Sequence, residues 1–282
     1  NAIADFFLGR QGDVLFLKNM LSDPTPASLY DVAFSLAQLV ALGMTVGLSG
    51  VTFATFARLA VTSASAVDRF YAFSIRVISL LTIPFFAFLL FNADAVLTVL
   101  YSEKYRAAVP LLRGILMFRI LCRLFGGAEN AEYLLSHGRV VGVVTISGVA
   151  AFVNVGLNLA LIPHMQAGGS VIASGCANVL ANGLGALMVA KMSTNRIQIG
   201  FWVKLTAVSL VAAFLSSMIG GGGGISHLVL AALLYTAMMA VALVLLKPFT
   251  ALDRDWLIQL DERISRFLLI AAERGKARVA EN

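Results

Sequence analysis

The chain has 282 residues, 59% of them hydrophobic and 13% charged, with a net charge of +6 and a mean hydropathy of +0.88. A soluble domain carries about a quarter of its residues as charges, so this composition excludes an ordinary water-facing surface and calls for a lipid-facing one. Basic runs and basic patches interleaved with aromatics are missing, which sets nucleic acid aside as a partner and leaves the positive balance to membrane topology.

Eight stretches reach the roughly 20 apolar residues that a helix needs to cross a bilayer: residues 3–21, 29–59, 70–91, 107–135, 140–162, 169–192, 201–219 and 228–246. The runs are long and lack period-2 alternation, so strands are not expected. Turn chemistry separates them at Asp23-Pro24-Thr25-Pro26, Ser136-His137-Gly138, Pro163 to Gly168 and the glycine run Gly220–Gly224. The chain opens on Asn1 inside an apolar stretch with no charged leader, and reads as a protein that lacks an N-terminal part.

The first span carries Arg10 and Asp13 at i, i+3, placed either for an internal salt bridge or for a polar cavity. The second, at 1.5 Å per residue, is about 46 Å long as one helix against about 30 Å of hydrocarbon; Asp31, Gln38, Thr45, Ser49 and Thr52 recur along it at a 3.6 period. The third has Arg69 and Arg76 at i, i+7, and Pro84 in mid-span predicts a kink. Residues 95–101 form a smaller amphipathic segment on the outer face.

In the fourth span Arg119, Arg123, Gly126, Asn130 and Tyr133 fall within an arc of about 80° on a continuous helix, with Glu129 and Glu132 off that stripe. The fifth places Ser147, Asn154 and Asn158 on one face, and the sixth places Ser170, Ser174, Asn178 and Asn182 on a slowly drifting one. Beyond Pro248 a tail helix carries Leu257, Leu260, Ile264, Phe267 and Ala271 on one face and is expected along the cytoplasmic membrane surface. Cys122 and Cys176 fall inside apolar spans and read as small buried residues; the three histidines lack metal-ligand spacing, and no metal or cofactor is expected.

Small polar stripes also glue membrane helices together, and Arg76 and Arg113 have the option of snorkelling to an interface. Arg119 and Arg123 fit those readings less well. Each costs about 2.5–3.5 kcal/mol near a span centre on insertion scales, and they sit a turn apart with no acid on their face. They require a wet cavity, an acid on another helix (Asp13 or Asp31), or an anionic ligand. Arginine's planar fork suits phosphate, and Asn, Gln, Ser and Thr suit sugar hydroxyls. Most basic residues outside the spans fall on one set of alternate loops, with Arg58, Arg69, Arg139, Lys191, Arg196 and Lys204, so that side and both ends of the chain are expected to be cytoplasmic.

Four elements, in order, carry a family resemblance: Leu100-Tyr101-Ser102-Glu103-Lys104-Tyr105 with Ala108-Val109-Pro110-Leu111-Leu112-Arg113; Tyr133-Leu134-Leu135-Ser136-His137-Gly138-Arg139; Asn154 through Asn158-Leu159-Ala160-Leu161-Ile162-Pro163; and Gly168-Gly169-Ser170-Val171-Ile172-Ala173. The pattern resembles the C-terminal half of polysaccharide flippases in the multidrug/oligosaccharidyl-lipid/polysaccharide exporter superfamily. The resemblance implies an all-α, fourteen-helix transporter of the bacterial cytoplasmic membrane, of which this chain supplies the last eight helices: residues 1–192 as the second six-helix lobe, 193–246 as two additional helices, and 247–282 as the cytoplasmic tail. It further implies alternating access, with undecaprenyl-pyrophosphate-linked oligosaccharide as cargo and the polysaccharide polymerase and export machinery as partners. No enzymatic step is implied.

On this reading Arg10, Asp13, Gln38, Arg76, Arg119, Arg123, Asn130, Asn154, Asn158 and Asn178 are candidates for the lumen. A lipid II flippase or a cation-coupled drug exporter of the same superfamily is the nearest alternative; a drug exporter for cations calls for carboxylates in the cavity. A membrane-embedded sugar transferase calls for a large catalytic loop, and the longest outer connection, around residues 92–106, lacks paired carboxylates. A non-transporting assembly scaffold calls for arginines fully neutralised by Asp13 and Asp31, with no cavity.

Overall fold

The computed structural model describes residues 9–193, 199–218 and 224–246. Residues 3–8 of the first expected span, Arg196, most of the glycine run, the tail helix expected over 247–282, and the side chains of Thr45 and Ser49 lie outside the described residues. Two compact units are present, Asn1–Ala242 and Leu243–Asn282. The described polar interior lies in the first; of the second, only residues 243–246 are described.

The described residues are helical, with no strand among them. The α-helices are α1 (Arg10–Met20), α2 (Thr25–Thr62), α3 (Ala64–Phe91), α4 (Ala93–Tyr101), α5 (Val109–Leu124), α6 (Glu129–Ser136), α7 (Val140–Met165), α8 (Ala167–Met192), α9 (Ile199–Met218) and α10 (Ile225–Leu246), with a 3₁₀ segment at Glu103–Ala108. Among the described residues, six helices are long and apolar enough to cross a membrane, contained in α2, α3, α7, α8, α9 and α10. Eight were expected from the sequence. The difference lies at the first span, of which only α1 is described, and at the fourth, which is broken.

Local chemistry sets the boundaries. Asp23 accepts a hydrogen bond from the Thr25 backbone N–H at 2.8 Å, next to a proline in the first turn of α2, where a missing N–H costs nothing. The Thr25 side chain and N–H hold the Asp23 carboxyl below its ordinary range. At 38 residues, α2 is about 57 Å long and overshoots the hydrocarbon at one end or both. Pro84 lies inside α3 as expected; its carbonyl accepts from Tyr235 Oη of α10 at 2.7 Å. Arg106 in the 3₁₀ segment closes back on α4 through a two-pronged pair with Asp94, at 2.8 and 2.9 Å.

The bundle keeps an apolar core but, unlike a water-soluble protein, also turns large apolar side chains outward while burying polar ones. Phe152 and Val141 on α7 are each 80% exposed, whereas Asp13, Asn154 and Asn158 are 0% exposed. Lipid tails are as apolar as leucine, so helix association here rests on close packing and interhelical hydrogen bonds, not on water exclusion. The α7–α8 hairpin fits that physics. The buried residues of α8 include Gly169, Ser170, Ala173, Ser174 and Ala177, and a Cβ on Gly169 would stand 2.7 Å from the Leu161 carbonyl carbon. In the interior, α5 packs against α2, α3 and α8, and α2 also meets α3 and α8, with α1 and α7 against α8 and α9 against α3.

The fourth span departs from a continuous helix. Between α5 and α6 the chain turns through Phe125–Ala128, with Gly126 at φ 96° and Gly127 at φ 70°. Glycine takes this left-handed region without the Cβ clash that opposes it in other residues. The single stripe from Arg119 to Tyr133 therefore does not exist as one face, because the reference frame turns at residue 126.

Candidate functional site

Two polar assemblies lie inside the bundle, and the ten candidate residues divide between them and two outlying positions.

The first is a sealed knot. Asp13 of α1 accepts from the Tyr30 hydroxyl of α2, from Asn158 Nδ2 at 2.9 Å and from Asn154 Nδ2 at 3.3 Å on α7. Asn158 Nδ2 also reaches Asn154 Oδ1 at 3.1 Å, and Ser170 of α8 donates to Asn158 Oδ1 at 2.9 Å. The expected i, i+3 bridge between Arg10 and Asp13 is not made. Arg10 instead pairs with Asp31 at 3.3 Å and donates to Ser35 at 2.7 Å. Asp13, Asn154 and Asn158 thus tie four helices together through the packing role that small polar residues play in membranes.

The second assembly surrounds a cavity of about 770 Å³, inside the usual range for ligand pockets. It opens between α1, α2, α3, α5 and α8. Arg10, Gln38, Arg119, Arg123 and Asn178 from the candidate set all line it, joined by Asn182. The charged side chains on this wall, among the described residues, are three arginines: Arg10, Arg119 and Arg123. Their carboxylate neighbours stand off the wall.

Each arginine is held differently. Arg10 and its partner Asp31 are each about half exposed, at 45%, so their pair is worth little. Arg119 Nη2 donates to Gln38 Oε1 at 2.7 Å, and its guanidinium lies 5.3 Å from the centre of the Phe34 ring. Its Nε is buried with no hydrogen-bond partner, and it forms no ion pair among the described residues. Arg123 Nη1 meets both oxygens of Glu129, at 2.8 and 3.1 Å. The acid that meets Arg123 is thus Glu129, expected off the arginines' stripe, and not Asp13 or Asp31. On an unbroken helix, positions six apart lie about 120° around and 9 Å along. The turn at Gly126 and Gly127 brings Glu129 back over Arg123.

Asn130 lies off the cavity wall, buried at the turn. Its Nδ2 donates to Phe125 O at 2.7 Å and to Asn182 O at 3.2 Å, and its Oδ1 accepts from Tyr71 Oη at 2.5 Å. It staples the break to α3 and α8. Beyond it Tyr133 donates to Asp68 at 2.5 Å. Arg76 of α3 is buried away from the cavity, with its guanidinium 6.0 Å from the centre of the Phe201 ring on α9. Sequence reasoning left Glu129 out of the site; the available signal was the Gly126-Gly127 pair, which marks a turn within an apolar run. No group of three or more His, Cys, Asp or Glu is placed to hold a metal among the described residues.

Lipid-compatible helices around an arginine-lined interior define a multi-pass membrane protein with an anion-compatible cavity. Residues 3–110 match the family model described as polysaccharide biosynthesis protein. That match covers α1 to α4 and the start of α5, so it is independent of three of the four motif elements that carry the resemblance. No curated protein and no solved structure matches the chain.

Proposed function

We propose that this chain forms one lobe and two accessory helices of an alternating-access flippase. Its cargo is undecaprenyl-pyrophosphate-linked oligosaccharide, carried from the inner to the outer leaflet of the bacterial cytoplasmic membrane. Both chain ends face the cytoplasm in this reading, the protein catalyses no chemical reaction, and its cargo passes to polysaccharide polymerase and export machinery.

The observation that supports this is the composition of the cavity wall: among the described residues its charged side chains are three arginines, with no carboxylate. Arg119 is the most available of them. Its charge has a neutral amide and a ring for company, and its Nε has no partner. A guanidinium in low dielectric without an anion is costly, so a phosphate oxygen entering the cavity gains from a charge-assisted hydrogen bond. Gln38, Asn178 and Asn182 offer the neutral donors and acceptors that sugar hydroxyls use. An exporter of cationic drugs fits less well, since this wall repels cations. The isoprenoid tail remains in the bilayer, against the apolar outer faces.

The test is export of the lipid-linked glycan in cells carrying the full-length protein with Arg10→Ala and Arg119→Ala. This pair of substitutions leaves the buried Arg123–Glu129 contact in place. Export should fall at least tenfold with protein level unchanged; normal export at normal level would remove the cavity from the transport path.

A further inference from the structure

We propose that Glu129 is a built-in competitor for the cargo: it holds the Arg123 guanidinium while the cavity is empty, and the anionic group of an arriving ligand displaces it. The proposal rests on the reading of the cavity as an anion site and adds a residue that sets its affinity.

Three observations carry it. Arg123 uses a single nitrogen, Nη1, for both Glu129 oxygens, while its Nε and Nη2 donate to no described residue. The guanidinium therefore stands on the cavity wall with one edge engaged and the other free. A planar fork can take a second oxyanion on its free edge before it releases the first. Next, Glu129 lies behind the wall, 3% exposed, so it reaches the cavity only through Arg123. Last, the pair and the helix break are one object. A Cβ on Gly127 would collide with Arg123 Nη1, and would stand 2.8 Å from Cζ and 2.9 Å from Glu129 Oε2. Arg123 lies over the left-handed turn, and its transfer from Glu129 to a ligand takes away the contact that covers that turn. Glu132, one turn further along α6 on the same side of the break, has a buried Oε2 with no partner. Competition with a carboxylate lowers affinity and prevents cargo from being held too tightly to release, which a transporter needs. Glu129 is in this sense a positioning residue that acts through Arg123.

The experiment uses purified full-length protein in detergent, with inorganic pyrophosphate as the probe and calorimetry as the readout. Glu129→Gln should bind pyrophosphate at least tenfold tighter than the wild type, the equivalent of about 1.4 kcal/mol or more. The double variant Arg123→Gln with Glu129→Gln should lose that gain, since the competition acts only through Arg123. Should Glu129→Gln fail to fold, Glu129→Asp draws the carboxylate back by one methylene and should tighten binding by a smaller factor. Equal or weaker binding by the Glu129 variants overturns the proposal, as does a gain that survives the loss of Arg123. Arg119→Ala separates the two levels of the argument. If it weakens pyrophosphate binding while Glu129→Gln changes nothing, the cavity reading stands and the competitor falls. If pyrophosphate binds neither wild type nor any variant, both fall.

Discussion

Asp13 of α1 and Asn158 of α7 are both 0% exposed and meet at 2.9 Å, with Asn158 Nδ2 donating to Asp13 Oδ1. Their contact joins the N-terminal helix to the α7–α8 hairpin across the interior, 145 positions apart in the chain. It also decides what Asp13 is for: its two oxygens are taken up by Tyr30, Asn154 and Asn158, and it is not a counter-ion for the cavity arginines. Asn158→Ala leaves the carboxylate short of a donor and a void beside it. A loss of about 2 kcal/mol is expected, read as a lower thermal midpoint in detergent. An unchanged midpoint would mean that the knot contributes nothing to helix association.

The same division predicts solvent access. In a background with Cys122 and Cys176 replaced by alanine, Asn178→Cys should react with a membrane-impermeant thiol reagent, because Asn178 lines the cavity. Asn158→Cys should stay inert until the protein is unfolded. Reaction at residue 158, or none at residue 178 from either side of the membrane, would contradict the placement of the two asparagines.

Buried and exposed ion pairs should separate by a wide margin. Arg123→Gln strands Glu129, whose side chain is 4% exposed, and a loss of about 3–5 kcal/mol is expected. Arg106→Gln removes a pair whose side chains are 62% and 42% exposed, and less than about 1 kcal/mol should follow. Adding Glu129→Gln to Arg123→Gln should restore most of the stability. Equal destabilisation by the two single variants in chemical unfolding would count against a dry environment for Glu129.

Glycine positions offer a third contrast. Gly127→Ala meets both a positive φ and the Arg123 guanidinium, and should cost about 1–3 kcal/mol. Gly156→Ala in α7 has nothing within 4 Å of the new methyl, and the helix should gain about 0.5–1 kcal/mol from the better helix former. Thermal midpoints of the two variants should move in opposite directions. A shift in the same direction would show that the turn at residue 127 is not held as described.

Much of the architecture is legible in the sequence because lipid imposes a strong filter. Unbroken apolar runs of about 20 residues have few alternatives to a helix when every backbone group must be satisfied internally. Residues 29–59, 70–91, 140–162 and 169–192 duly fall within α2, α3, α7 and α8. The cavity was partly legible for a related reason: Arg119 and Arg123 are too costly to face acyl chains, and both line it.

Which polar residues share the cavity was not legible, because helical periodicity gives a residue's direction only within its own helix. Asp13, Asn154 and Asn158 have the same periodicity whether they face water or one another, and the docking of α1 onto the α7–α8 hairpin chose the second. The partner of Arg123 was hidden by the assumption of one continuous helix through residues 107–135. Composition and hydropathy by themselves determined a helical membrane protein with arginines in its interior. Tertiary structure decided that Arg119 is without an acid among the described residues and that Arg123 has one. A turn of two left-handed glycines brings Glu129 back across a distance that helical geometry does not span.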